Sequence, residues 1–221
     1  MKKVIQLSTA ILFLSVNVTA QKTNAAASLL PLAEIKKMAY ADSARLVTIF
    51  KDIHENPELG FMEVRTAAIV AKELKALGYE VMTGIGKTGV VGIIKNGDGP
   101  IVMYRADMDC NSVKETTGLP YASTKTMKKD DGTEVPVMHA CGHDVHTTCL
   151  LGAAKILFEL KDSWEGTVKL IFQPGEEKNP GGASLLINEG VLQNPAPQKI
   201  VALHVNPSLQ VGKLSFRKGR V

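Results

Sequence analysis

Ile101-Val102-Met103-Tyr104-Arg105-Ala106-Asp107-Met108-Asp109 is the stretch on which the fold turns. An unbroken apolar and aromatic run, followed by acids alternating with apolar side chains, describes a buried strand with a reactive tip. Such a run fits a sheet covered on both faces by helices. The same grammar recurs along the chain. Thr167–Phe172 runs into Gln173-Pro174-Gly175-Glu176-Glu177, and Lys199–Leu203 runs into His204. The Met138 region opens onto His139-Ala140-Cys141-Gly142-His143-Asp144. Ligands of open α/β sheets bind at the carboxyl ends of strands, so these loaded ends point to one shared site.

The intervening segments complete the pattern. Leu29–Ile53 reads as a helix, with Ile35, Met38, Leu46, Ile49, Phe50 and Ile53 near helical spacing. A second helix is expected over Glu63–Leu77, with Val64, Ala67, Ala68, Ala71 and Leu74 on one face and Gly78 as its C-terminal cap. Tyr79–Thr83 and Val90–Lys95 read as strands, Val145–Leu160 as a helix, and Ser184–Asn188 as the middle of a short helix. The polar stretch Asn111–Glu134 suits a long loop or hairpin, and Val211–Phe216 is β-like. Alternating strands and helices predict an α/β fold, with a mixed, largely parallel sheet flanked by helices.

Composition narrows the function. The 221 residues are 45% hydrophobic and 22% charged, as in ordinary globular chains. A net charge of +4, with lysines in scattered pairs, makes nucleic acid a poor partner. Lys2 and Lys3 precede an apolar run from Val4 to Val18 and a small-residue end at Val18-Thr19-Ala20. That is the pattern of a signal peptide over 1–20, which predicts a secreted or periplasmic protein without a stable membrane anchor. Cys110, Cys141 and Cys149 are odd in number, so at least one thiol has a fate other than an internal disulfide. No Cys-x-x-Cys is present, which argues against a thiol redox protein.

The candidate chemistry is metal chemistry. Cys141 and His143 are two residues apart across a glycine, and a thiolate with an imidazole suits a transition metal. Two ligands define no geometry, and a buried thiol beside a helix-start histidine would look the same. Glu176 and Glu177 are adjacent carboxylates at a strand end, a costly arrangement to bury without a cation. One could ligate while its neighbour takes a proton, or both could be a solvated loop. His204, alone at a strand end, is as compatible with the core as with a metal. Asp107 and Asp109 could ligate, orient a ligand, or merely close a turn. His54 reads as structural, while His139 and His146 are candidate substrate contacts.

Met138-His139-Ala140-Cys141-Gly142-His143-Asp144-Val145-His146-Thr147 resembles the signature of the N-acyl-L-amino-acid amidohydrolases, the group of hippurate and auxin-conjugate hydrolases within the aminoacylase and zinc-peptidase superfamily. The resemblance extends over His54–Gly60, Arg105–Asp109, Thr117–Ser123, Phe172–Glu177, Gly190–Pro195 and Leu203–Pro207. It implies that Cys141, His143, Glu177 and His204 are metal ligands, with Cys141 bridging two divalent ions (Zn, Mn, Ni or Co). Glu176 would be the general base and Asp109 a supporting residue behind the ligands, with Asp107 beside it. The implied activity is hydrolysis of N-acyl amino acids or small peptide-like conjugates by metal-activated water. A dipeptidase or aminopeptidase of the same superfamily is the alternative.

Two departures follow from the resemblance. The family usually continues Asp-x-Asp with Ala-Leu-Pro, whereas Cys110-Asn111-Ser112 stands here, which puts substrate preference in question. Family members are also longer, and their later part supplies a further metal-binding histidine and a lid that can dimerise. The expected division is a signal peptide at 1–20, the N-terminal part of a catalytic domain at 21–207, and the start of a lid at 208–221. A chain ending at Val221 would be expected to show weak or no turnover, as a metal-binding fragment with an uncovered sheet edge.

Overall fold

The computed structural model describes residues 32–216, so the signal-peptide reading lies outside the described residues. The chain opens with two helices, α1 (Leu32–Ala41) and α2 (Ser43–Glu55), in place of the single helix expected from periodicity. The break has a local cause. Ser43 Oγ donates to the Tyr40 carbonyl at 2.7 Å, and the Asp42 carboxylate is held by Arg45 at 2.8 and 2.6 Å. Such short polar side chains compete with the helical backbone for hydrogen bonds.

Helix α3 (Val64–Ala76) buries Thr66, Ala67, Val70, Ala71 and Leu74, a single stripe at helical spacing. It ends at Gly78, whose φ of 81° belongs to the left-handed region that closes helices. Strands β1 (Glu80–Ile85), β2 (Gly89–Asn96) and β3 (Ile101–Asp107) follow. The polar stretch then folds as a small hairpin, β4 (Thr126–Lys128) with β5 (Glu134–Pro136), apart from the main sheet. Helix α4 (His143–Glu159), strand β6 (Gly166–Gln173), helix α5 (Gly182–Asn188) and strand β7 (Lys199–Ala202) complete the order.

The main sheet runs β1-β2-β6-β3-β7. The β1–β2 and β2–β6 pairings are antiparallel, whereas β3 pairs in parallel with both β6 and β7. The parallel half, with α4 crossing from β3 to β6, is the half whose strand tips converge. Strand β6 is central and buried along its whole length. Its side chains alternate between two cores, as a pleated strand requires. Val168, Leu170 and Phe172 pack with α3 and α4 residues such as Val70, Leu74, Leu151 and Ala154. Ile171 faces Val91, Ile93, Met103, Leu186 and Val191 on the other side.

Lys169 also lies on that second face and is 1% exposed. Its ammonium donates to the carbonyls of Val191, Gln193 and Pro195 at 2.5, 2.9 and 3.2 Å, which satisfies an otherwise costly buried charge. It thereby ties down the connection that leads into β7.

Two expectations need correction. Met138 is not the end of a sheet strand; it makes an isolated bridge to Asn111, and the Cys141 loop enters from the hairpin side. Val211–Phe216 forms no strand, because no partner pairs with it among the described residues, and Val211, Leu214 and Phe216 are highly exposed. Strand β7 is one of the two sheet edges among the described residues, with β1 the other, and all of its residues are exposed.

Leu74 is fully buried and its Cδ1 would lie 2.7 Å from a Cβ at Gly92, so helix and sheet meet closely there. Leu74→Ala is expected to destabilise the chain by about 2–5 kcal/mol with an unchanged denaturant slope, measured by urea unfolding.

Candidate metal centre

Three strand tips and one helix start converge. Strand β3 delivers Asp107 and, just past its end, Asp109; β6 delivers Glu176 and Glu177. Strand β7 delivers His204, and the N-terminus of α4 delivers Cys141, His143 and His146. The donor atoms of Cys141, His143 and His204 lie within 4.8 Å of one another, as do those of His143, Glu176 and Glu177. A third such group joins Asp107, His143 and His146. His143 belongs to all of them.

Hydrogen bonding sorts ligands from struts. The Nδ1–H of fully buried His143 donates to the Asp109 backbone carbonyl at 2.8 Å, with Asp109 Oδ1 at 3.2 Å. Its Nε2 therefore carries a bare lone pair, and this nitrogen has no hydrogen-bond partner. It faces Asp107 Oδ2 at 3.7 Å and Glu176 Oε2 at 4.0 Å. His204 is set up in the same way. Its Nδ1–H donates to the Val205 carbonyl at 2.7 Å, and its Nε2 lies 3.4 Å from Cys141 Sγ.

His146 differs. Its Nδ1–H donates to Asp107 Oδ1 at 2.6 Å, and its Nε2 accepts the Val205 N–H at 2.9 Å. Both nitrogens are spent inside the protein, which makes His146 a strut under the His204 loop and replaces its expected role as a substrate contact.

The carboxylates behind the histidines are tightly held. Asp107 Oδ2 lies 2.7 Å from Arg105 Nη1 in an ion pair, yet off the line of a hydrogen bond. Burial would raise the Asp107 pKa, but the His146 hydrogen bond and the Arg105 and His143 charges outweigh it and lower it to about 2. Asp109 Oδ2 accepts the Glu177 N–H at 2.9 Å, so one buried residue orients both His143 and the glutamate loop. Burial and the Glu177, Glu176 and Asp107 carboxylates push the Cys141 thiol up to about 11. Acids crowded around a thiol and two imidazole nitrogens make a donor set that a divalent cation fits.

Two glycines permit this approach. Gly142 has φ 82°, and a Cβ there would meet Val205 Cγ2 at 2.4 Å. Gly175 has φ 54° beneath the Phe61 ring, which a Cβ would meet at 2.5 Å.

Sequence reasoning missed two anchors. Glu63, fully buried ahead of α3, accepts the Gly175 N–H at 2.7 Å and the Thr88 hydroxyl, pinning the loop that carries Glu176 and Glu177. An acid at a helix start reads as a partner for the helix dipole, which disguises this inward role. The second is Glu115, which accepts His54 Nε2–H at 3.1 Å and the Ser123 N–H at 2.5 Å. His54 Nδ1–H donates to Asp144 Oδ2 at 2.6 Å, so His54 is structural as expected, but as the centre of an ionic bridge. Asp144 lies inside the first turn of α4 and serves this bridge.

His139 is buried with both ring nitrogens unpartnered, and burial lowers its pKa to about 4. It lines a cleft of about 490 Å³ together with His54, Cys141, His204 and Asn206.

The geometry has recognisable relatives. The model of peptidase family M20/M25/M40 matches residues 103–219. An IAA-amino acid hydrolase of Arabidopsis thaliana is 44% identical over 174 residues, 79% of this chain and 37% of that protein. A hippurate hydrolase of Campylobacter jejuni is 46% identical over 168 residues, 76% of this chain and 41% of that protein. Among solved structures, a dinuclear metal-binding peptidase of Bacillus subtilis superposes with a TM-score of 0.69 at 37% identity, covering 78% of this chain and 45% of that one. The chain spans about two fifths of the length of these curated relatives.

Burial lowers the His54 pKa, but Asp144 and Glu115 outweigh it and the net shift is upward. A raised histidine pKa gives stabilisation that is full below the unfolded value and lost as pH rises through the folded one. His54→Gln should therefore cost about 1.5–3 kcal/mol at about pH 5.5 and less at about pH 9, by urea unfolding at each pH. A cost independent of pH would contradict the ionic bridge.

Proposed function

The chain belongs to peptidase family M20/M25/M40, and on that footing we propose that it carries the N-terminal part of a metal-dependent amidohydrolase that cleaves N-acyl amino acids or small peptide-like conjugates. The observation that carries this reading is the convergence of His143 Nε2, which has no hydrogen-bond partner, with the paired Cys141 Sγ and His204 Nε2 beside a cluster of carboxylates.

Cys141, His143, Glu177 and His204 would hold two divalent cations (Zn, Mn, Ni or Co). Bound there, the cations would supply Lewis acidity for a water and for the amide oxygen. The dinuclear Bacillus subtilis peptidase and the chemistry of this donor set support that assignment. Asp109 fixes the tautomer of His143 and the direction of the glutamate loop, while Asp107 acts through His146.

Glu176, 41% exposed and 4.0 Å from His143 Nε2, is free to swing towards a water, take its proton and return it to the departing amine. His139 stays neutral in the cleft wall and can donate or accept a hydrogen bond with substrate at its unpartnered nitrogens. The relatives named IAA-amino acid hydrolase and hippurate hydrolase support an N-acyl amino acid substrate. The Bacillus subtilis neighbour, described as a peptidase, favours a second reading, a dipeptidase or aminopeptidase, and rates on an N-acyl amino acid and on a dipeptide separate the two.

Residues 21–207 are assigned to the N-terminal part of the catalytic domain and 208–221 to the start of a lid. The Lys2-Lys3 start and its apolar run support export.

In the metal-loaded enzyme, Glu176→Gln is expected to lower kcat for release of an amino acid from its N-acyl form by about 10²–10⁴-fold, with bound metal and KM unchanged. Loss of metal in this variant would make Glu176 a ligand, and an unchanged kcat would remove it from the reaction.

A further inference from the structure

Asn111 follows the tip of β3 and has no part in the site proposed above. Its backbone and its side chain nevertheless act on one short segment. The Asn111 N–H donates to the Met138 carbonyl at 3.0 Å, and the Met138 N–H returns to the Asn111 carbonyl at 3.1 Å. Further along, Asn111 Oδ1 accepts the Cys141 N–H at 3.1 Å. One residue thus grips both ends of Met138-His139-Ala140-Cys141, whose middle is folded by an Ala140 N–H bond to the Met138 carbonyl at 2.9 Å. Among the described residues no other acceptor takes the Cys141 N–H.

We propose that Asn111 is the positioning residue of the Cys141 thiol, setting where its sulfur stands relative to His204 and the glutamates. The inference rests on the metal-centre reading above. Cys141 has few other restraints. It is half-buried, Gly142 after it takes a left-handed backbone, and α4 begins only at His143. Metal–ligand distances in well-formed sites agree to within about 0.2 Å, so an unanchored thiol loop would weaken the centre. The amide carbonyl is neutral and accepts the N–H without adding a further negative charge to an already acidic site. Leucine has nearly the same shape and no acceptor; aspartate keeps the acceptor.

The test compares the 221-residue chain with Asn111→Leu and Asn111→Asp. Co²⁺ affinity is measured by competition with a chelator, the cobalt–thiolate absorption is recorded, and exchange of the Cys141 amide hydrogen is followed by NMR in the metal-free chain. Asn111→Leu is expected to weaken Co²⁺ binding by about 10–100-fold, to alter the cobalt–thiolate band, and to speed Cys141 amide exchange by about tenfold or more. Asn111→Asp should keep the exchange rate and the band close to those of the parent. Equal impairment of both variants, or an Asn111→Leu variant with parental exchange and affinity, would overturn the proposal. A parent chain with no cobalt–thiolate band would instead sink the metal-centre reading. In that case the amide-exchange comparison alone decides whether Asn111 holds the thiol.

Discussion

The Nδ1–H of His143 donates to the backbone carbonyl of Asp109 at 2.8 Å, in a position without solvent access. That bond fixes which ring nitrogen is bare, and every candidate donor in the centre is arranged around the bare one. It also joins two elements, since Asp109 sits at the tip of β3 and His143 opens α4. The Thr147 hydroxyl reinforces the junction by donating to the Asp107 carbonyl at 2.9 Å. A buried imidazole with an unpartnered nitrogen is costly unless an electrophile meets it, so the fold carries a local expense that a cation offsets.

The remaining parts of the site are held by residues that never reach it. Glu63 anchors the Gly175 turn, Asp109 directs the Glu177 backbone, and His146 supports Val205 next to His204. Lys169 secures the connection into β7 from beneath the sheet. Each loop that offers a donor therefore has its own buried polar anchor, as a centre needs if ligands are to stay in place before a cation arrives. The hydrophobic cores on the two faces of β6 supply the rigidity, and the polar anchors supply the aim.

Much of this was legible in the sequence. The apolar runs ending in Asp107, Glu176 and His204 revealed three strands and a shared end, because a buried strand has few ways to continue except into a polar tip. The glycine cap at Gly78 and the buried positions Ala67, Ala71 and Leu74 were equally visible, whereas Val64 and Ala68, expected on the same face, are exposed. What stayed hidden depends on long-range partners. Asp42-Ser43 broke a helix that the apolar spacing alone would have continued. The strut role of His146 depends on the Val205 N–H, 59 residues away, and Glu63 reaches Gly175 across 112 residues. No local pattern encodes such a meeting, since the sheet must form before the residues are neighbours. The exposed run Val211–Phe216 shows the converse, β-like spacing without a strand to pair with among the described residues.

A cation held as proposed would lie among Cys141 Sγ, His143 Nε2 and His204 Nε2. X-ray absorption of the cobalt-loaded chain measures this directly. The expected result is a sulfur scatterer at about 2.3 Å together with nitrogen or oxygen neighbours at about 2.0–2.2 Å, with the sulfur signal lost in Cys141→Ser. A first shell of oxygen alone, unaltered by Cys141→Ser, would contradict it.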